Sequence, residues 1–219
     1  MMIVKGFALP DGEEHLAKFL NEGPEFAGGP TYQLHKLLLC LPHVRNFRRA
    51  VDVGAHCGLW TRPLARMFRR VTAFEPIPAH QKCFRRNLGE EVASSEVELW
   101  PVALGAHPGK VSLHTGEGSS GDTYVQEGGE HRDVVMSTLD SYDLKEVDFV
   151  KIDCEGYETY VLQGGERLIR DQKPFVIVEQ KKGKGSQHGL VDDAACRLLE
   201  KWGARKTFEY SGDYGYRFP

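Results

Sequence analysis

The sequence has no close cysteine pair, no long apolar run and no excess of either charge. Each absence removes a class of protein. The five cysteines (Cys40, Cys57, Cys83, Cys154 and Cys196) are odd in number and widely scattered, which argues against a zinc site and against a disulfide framework. No stretch of about eighteen residues is continuously apolar, so no transmembrane helix is expected. The opening residues MMIVKGFALPDGEEH lack the apolar region and small-residue cleavage site of a secretory leader. A cytoplasmic protein without membrane contact is the expectation. Lys plus Arg number 28 against 31 Asp plus Glu, a net charge of −3, which does not suit a general coat for polyanions. No internal repeat and no low-complexity linker divides the chain, so one domain over residues 1–219 is expected.

Charge is nevertheless uneven. From Arg45 to Arg86 there are ten basic residues against two acidic ones, and from Asn87 to Tyr160 four against sixteen. The first stretch is either a set of solvated faces or a rim attracting an anionic substrate. Arg62, Arg66 and Arg69 have the spacing of one helical face.

Apolar periodicity predicts alternating strands and helices after residue 48. The first 48 residues read as a helical addition, with Leu16, Phe19 and Leu20 on one helix, and Leu34, Leu37, Leu38 and Leu41 on another capped by Thr31. Strands are expected at 50–53, 71–74, 97–104, 147–153 and 174–179, and helices at 59–68, 79–88, 158–170 and 191–202. Residues 110–114 and 134–138 form an expected antiparallel pair around a mobile loop, 115–133. A terminal hairpin, 204–210 with 214–218, turns at Ser211-Gly212-Asp213. Such alternation implies a mostly parallel sheet with helices on both faces. The hairpin could close within one chain or across a dimer, so oligomeric state is open.

The first core strand runs through Val51-Asp52-Val53 into Gly54-Ala55-His56-Cys57-Gly58 and a helix. Gly54 permits a tight turn and close backbone approach to a ligand, and a helix start offers free N–H groups. The glycines read G-x-x-x-G, not the G-x-G-x-x-G of dinucleotide binders, which disfavours an NAD-dependent enzyme. Asp52 suits a cationic ligand. Glu75, followed by Pro76 at the end of the second strand, suits the two hydroxyls of a ribose. A ribose joined to an amino-acid-like cation describes S-adenosylmethionine.

The segments DVGAHCG, AFEP, PVALG, VDFVKIDCEGYETYVLQGG and PFVIVEQ, in that order from about Ala50 to Gln180, resemble the FkbM family of S-adenosylmethionine-dependent methyltransferases. The resemblance implies a Rossmann-like class I methyltransferase fold, with a mostly parallel seven-stranded sheet and an antiparallel C-terminal hairpin. It implies that Asp52, Gly54, Ala55, His56 and Gly58 hold the methionine part of the cofactor. Glu75 with Pro76 would meet the ribose, and Val102 and Ala103 would border the adenine. His56 stands where the family usually has Asn. The resemblance also implies an oxygen acceptor on a small molecule or glycan.

Asp153 and Glu155 follow the fourth strand and Glu179 ends the fifth, so three carboxylates are expected to converge. They could act as a general base or substrate hydrogen-bonding group, hold a divalent cation, or cap structure. Lys151 alternates with Asp153 and pairs a carboxylate or touches substrate. Ser119, Ser120 and Tyr124 would shape an acceptor pocket, while His114 and His131 read as surface residues. The strand-four sequence Asp153-Cys154-Glu155-Gly156 lacks the N/D-P-P-Y/F pattern of exocyclic-amine methylation. Two other readings stand beside this one. Methylation of an RNA ribose or cap is suggested by the basic stretch, with Asp153, Lys181 and a distant Lys approximating a Lys-Asp-Lys-Glu set. A non-catalytic S-adenosylmethionine-binding module would tolerate loss of Asp153, Glu155 and Glu179.

Overall fold

The computed structural model describes residues 1–26, 28–114, 124–126 and 134–219. Ser119, Ser120, His131 and most of the expected loop 115–133 lie outside the described residues. In chain order the elements begin with β1 (Met2–Val4), β2 (Phe7–Leu9), α1 (Glu14–Glu22), β3 (Glu25–Phe26), β4 (Gly29–Pro30) and α2 (Leu34–Cys40). Next come β5 (Arg49–Val53), α3 (Thr61–Ala65), β6 (Arg70–Phe74), α4 (Pro78–Asn87), α5 (Gly89–Ala93), β7 (Val97–Trp100) and β8 (Ala103–Leu104). Then follow β9 (Gly109–His114), β10 (Tyr124–Gln126), β11 (Val134–Ser137), β12 (Val147–Ile152), α6 (Glu158–Gln163) and α7 (Glu166–Gln172). The chain closes with β13 (Phe175–Glu179), α8 (Ala194–Lys201), β14 (Arg205–Tyr210) and β15 (Asp213–Arg217).

Seven strands make the central sheet in the order β14-β15-β13-β12-β5-β6-β7. The pairs from β13 through β12, β5 and β6 to β7 are parallel, and β15 runs antiparallel to both β13 and β14. Every residue of β12 and β13 is buried, as expected of strands covered on both faces. One core packs Val150, Ile152, Val176 and Val178 against α6, α7 and α8. The other packs Ala50, Val71, Phe149 and Ile177 against Leu64, Phe84 and Leu37. Each buried Val, Leu, Ile or Phe among them contributes about 1.5–3 kcal/mol. The chain leaves β5 towards β6 on one side and β12 towards β13 on the other. The carboxyl ends of β5 and β12 therefore form the switch point at which such sheets bind ligands.

Several expectations are corrected. The first 48 residues are not wholly helical: the hairpins β1-β2 and β3-β4 accompany α1 and α2. Gln33, in a left-handed conformation, precedes α2 in place of Thr31, whose hydroxyl donates to the Pro24 carbonyl at 2.7 Å. Pro101 falls within the expected strand 97–104, which divides into β7 and β8. The expected helix 158–170 breaks at Gly164-Gly165, where Gly164 lies against the Gly105 carbonyl and a Cβ would not fit. Helix α3 ends at Ala65, so Arg62, Arg66 and Arg69 do not share a helical face. The antiparallel pair 110–114 with 134–138 forms as β9 and β11, within a separate four-stranded sheet.

Candidate active site

A cavity of about 530 Å³ opens over the carboxyl ends of β5, β6, β12 and β13. Its size falls in the range of small-molecule and cofactor sites. Gly54, Ala55, His56, Glu75, Pro76, Val102, Ala103, Lys151, Asp153, Glu155 and Glu179 all line it. Residues more than a hundred positions apart in sequence thus share one wall.

The cofactor-side floor is a turn with little slack. The amides of Gly54 and Ala55 both donate to the Phe74 carbonyl at 3.1 Å. Gly54 has φ +75°, and a Cβ there would run into the Asp153 carbonyl. Only glycine allows β5 and β12 to end this close together. His56 has φ +51°, a region in which Asn and His are enriched among non-glycine residues, so the change from the family's usual Asn keeps the backbone shape. Burial, His80 and Lys151 push the His56 imidazole well below its ordinary range, which keeps it neutral.

Glu75 is buried, and both its oxygens are engaged. Oε2 accepts the His56 amide and Oε1 the Ile77 amide, each at 2.8 Å. His80 Nδ1 lies 3.3 Å from Oε1. The carboxylate is fixed by backbone donors, and its remaining lone-pair capacity can accept hydroxyls. Around it Phe74, Ile77, Val102 and Leu104 supply an apolar wall.

Asp52 and Gly58, which the resemblance placed against the methionine part, do not line the cavity. Asp52 is fully buried, accepts from the Thr61 hydroxyl at 2.7 Å and lies 3.4 Å from Lys151 Nζ. Its role here is to anchor α3 and hold a lysine. Gly58 sits where a Cβ would strike Leu88 and Phe84, so it allows the turn to pack on α4.

The acceptor side is dense in charge. Lys151 Nζ lies 3.4 Å from Asp52, 3.5 Å from Asp153 and 3.3 Å from the Gly54 carbonyl. Burial opposes its charge, but Asp153 and Asp52 outweigh burial and hold the ammonium above its ordinary range. Lys181 Nζ lies 2.7 Å from Glu179, and Lys184 Nζ 2.8 Å from Glu155. Burial alone would raise Asp153, yet Lys151 and Lys181 hold it below the usual carboxylate range. Burial and the Asp153 charge push Glu179 up to about 9, and the same two causes raise Glu155. Asp153 and Glu179 titrate as a pair. Within the pair Asp153 is the stronger acid, and Glu179, despite the Lys181 ammonium beside it, the weaker. Carboxylate oxygens of Asp153, Glu155 and Glu179 lie within 4.8 Å of one another, close enough to share a cation, and the two lysines already balance much of that charge.

Sequence reasoning missed much of the roof. His15, Leu16, Tyr32 and Gln33 come from the N-terminal segment and line the cavity with Trp60, Tyr157 and Lys181. Trp60 Nε1 donates to Gln33 Oε1 at 3.2 Å, and Phe7, Leu9, Leu16 and Leu20 pack on Cys57 and Leu59 of the turn. No motif marked His15, Leu16, Tyr32 or Gln33, whereas Trp60 adjoins the Gly54–Gly58 turn and Tyr157 lies within the segment from Val147 to Gly165.

A strand order of this kind, with a cavity at its switch point, defines a Rossmann-like class I methyltransferase fold. The sequence profile of the methyltransferase FkbM domain matches residues 52–218, and the chain belongs to this family. An FkbM methyltransferase from Methylobacillus flagellatus KT is 18% identical, with a TM-score of 0.54 over 78% of this chain. The chain spans 43% of that protein's length. A methyltransferase from Geobacter sulfurreducens is 17% identical, covering 86% of this chain and 79% of its own, with a TM-score of 0.52. The precorrin-6y C5,15-methyltransferase of Geobacter metallireducens GS-15 is 15% identical, covering 90% and 92%, with a TM-score of 0.51. No curated protein matches the chain. S-adenosylmethionine is the cofactor, and the cavity fits it: a glycine-closed turn, the fixed carboxylate of Glu75, an apolar wall and the half-buried carboxylate of Asp153 all line it. No helix among the described residues is long and apolar enough to cross a membrane.

Proposed function

We propose that this chain transfers a methyl group from S-adenosylmethionine to a hydroxyl oxygen of a small-molecule or glycan acceptor. The observation that carries the reading is the unequal pair at the end of β12 and β13. Asp153 lies 3.5 Å from the Lys151 ammonium, which favours its anion, while burial and the Asp153 charge raise the proton affinity of Glu179, whose carboxylate lies within 4.8 Å. Gly54, Ala55 and His56 would hold the methionine part, Glu75 the ribose, and Val102 and Ala103 the adenine. The cofactor supplies an electrophilic methyl group on a sulfonium. The remaining work is positioning and removal of one proton. As an acceptor oxygen is alkylated its hydroxyl proton becomes strongly acidic, so even a carboxylate of low basicity suffices to take it. Asp153 is that carboxylate. Glu179, as the protonated partner, stabilises the charge on Asp153 before transfer. Lys181 and Lys184 balance the remaining charge, which favours proton acceptance over cation binding for the cluster.

Calorimetric titration with S-adenosylhomocysteine, with NAD as the control, tests the cofactor assignment. Wild type should bind in the micromolar range, and Glu75→Ala should bind at least tenfold more weakly, about 1.4 kcal/mol. Binding of NAD in preference would overturn the assignment of the turn.

A second reading, methylation of an RNA ribose, has one observation in its favour: Lys151, Asp153, Lys181 and Glu179 line one cavity. Against it, three of the ten basic residues of that stretch are taken up in internal pairs. Arg48 pairs with Asp148, Arg49 with Glu98 and Arg66 with Glu91. RNA binding that falls steeply with salt would favour this second reading.

A further inference from the structure

Glu158, the first residue of α6, is almost fully buried, with no place in the cavity and no lysine or arginine partner among the described ion pairs. Its Oε1 accepts the amides of Cys154 and Gly156, both at 2.9 Å. Its Oε2 accepts from Gln180 Nε2 at 3.1 Å. Gln180 is itself fixed: its amide donates to the Gly212 carbonyl at 2.7 Å and its Oε1 accepts the Ala195 amide at 3.0 Å. One buried carboxylate therefore ties the loop after β12 to the residue after β13.

That loop carries the reacting side chains. Asp153 opens it, Glu155 is held within it at φ +52°, and Glu179 immediately precedes Gln180. A positive φ is unfavourable for glutamate and persists only where surrounding contacts enforce it. The Asp153 carbonyl also lies directly against Gly54 of the cofactor turn. The geometry points to Glu158 and Gln180 as a pair of positioning residues that set the Asp153–Glu155 loop against Glu179 and Gly54. This rests on the reading of that cavity as the S-adenosylmethionine site. Burial of Glu158, which pushes its carboxyl up to about 7, is consistent with a group selected for its hydrogen bonds and not for solvation.

The donor and acceptor counts make the pair testable by exchange. In Glu158→Gln the new amide can satisfy the two loop N–H groups or Gln180, but not both, because one of its faces is a donor. In Glu158→Gln with Gln180→Glu the roles reverse, and every bond between the two side chains, the loop amides and Ala195 is regained; only the Gln180 Nε2 donation to the neighbouring Glu179 carbonyl is lost. The introduced amide at position 158 accepts both loop N–H groups on its carbonyl oxygen and donates its NH₂ to the introduced carboxylate at position 180. The other oxygen of that carboxylate accepts the Ala195 amide. S-adenosylhomocysteine is the probe, with affinity read by calorimetry and folding by circular dichroism and melting temperature. Glu158→Gln should bind at least tenfold more weakly than wild type while folded, and the exchanged variant should return to within threefold. Unchanged affinity in folded Glu158→Gln overturns the proposal. An exchanged variant that is unfolded, or folded with affinity still tenfold down, overturns it too. If Glu158→Gln alone does not fold, recovery of folding and binding in the exchanged variant supports the proposal. Failure of wild type to bind S-adenosylhomocysteine is a separate result, directed at the cofactor assignment.

Discussion

The two halves of the cavity are built on opposite principles. Around Glu75 the carboxylate is fixed by two backbone amides and lined by apolar side chains. Around Asp153 the walls carry carboxylates and lysines within 2.7–3.9 Å of one another, with titrations moved in both directions. A site that recognises one unchanging cofactor is served by fixed hydrogen bonds. A site that handles a proton is served by groups whose proton affinities are pushed apart.

Substitution of the unequal pair is the sharpest way to break this comparison. Asp153→Asn should lower methyl transfer by about 10²–10⁴-fold, the usual contribution of a positioned proton acceptor. Glu179→Gln should cost far less, about tenfold or under, because glutamine imitates a protonated glutamic acid in shape and hydrogen bonding. Single-turnover rates with a fixed acceptor check both. Equal losses would show that the two carboxyls share the anionic role.

The floor of the cofactor half should respond through stability. Gly54→Ala places a methyl group on the Asp153 carbonyl at a left-handed backbone position, with a cost of about 2–3 kcal/mol. For a chain of this size that is a fall in melting temperature of about 4–12 °C, together with loss of S-adenosylhomocysteine binding. Differential scanning calorimetry measures the first and titration the second. A stable variant that still binds would mean that β5 and β12 can move apart at no cost.

The acceptor half should also leave a signature in the pH dependence of stability. The folded-state pKa of Glu179 is raised, to about 9, from an unfolded value near 4.5. Between those values the native state binds more protons than the unfolded state, so stability falls as pH rises. The contribution is fully present below about 4.5 and lost through about 9, at up to ~1.4 kcal/mol per pH unit. Urea unfolding from pH 5 to 9 should show this slope in wild type and a flatter one in Glu179→Gln. Glu75→Ala, which leaves Asp153 and Glu179 in place, is the control and should keep the wild-type slope.

What the sequence reveals of this arrangement follows from distance along the chain. Buried parallel strands announce themselves as apolar runs such as Phe175-Val176-Ile177-Val178, and the turn from Gly54 to Gly58 is a local pattern. The convergence of Asp153, Glu155 and Glu179 is readable because strand ends in a parallel sheet meet at one edge. The roof is another matter. Tyr32 and Gln33 lie more than a hundred residues from Asp153, and the apolar pattern before them reads equally as helix or as the short hairpins that form. Asp52 illustrates a second limit. A carboxylate near a cofactor turn reads as a ligand contact, yet Asp52 is buried outside the cavity, with one oxygen accepting from Thr61 and the other facing the Lys151 ammonium at 3.4 Å. Partner choice between buried charges is a tertiary property, and the spacing of Lys151, Lys181 and Lys184 carries no sign of which carboxylate each will meet.

The smallest expected effect concerns the basic stretch, where composition alone suggested an anion-binding rim. Arg66 is half-exposed and pairs at 3.0 Å with Glu91 of α5, whose own side chain is buried. A pair with one half-exposed, solvent-screened partner contributes up to about 1 kcal/mol. Arg66→Ala should therefore lower stability by less than about 1 kcal/mol and leave S-adenosylhomocysteine affinity unchanged. If the stretch served a polyanion instead, removing one contact would reduce the slope of log affinity for RNA against log salt by about one. A titration of a short RNA against wild type and Arg66→Ala at several salt concentrations separates the two. The ion pairs of Arg48, Arg49 and Arg66 lead to the same expectation: any residual RNA binding is weak, and its salt slope is the same in both proteins. For three of the ten basic residues of this stretch the fold supplies the partner: Asp148 for Arg48, Glu98 for Arg49 and Glu91 for Arg66, all from the acidic stretch that follows.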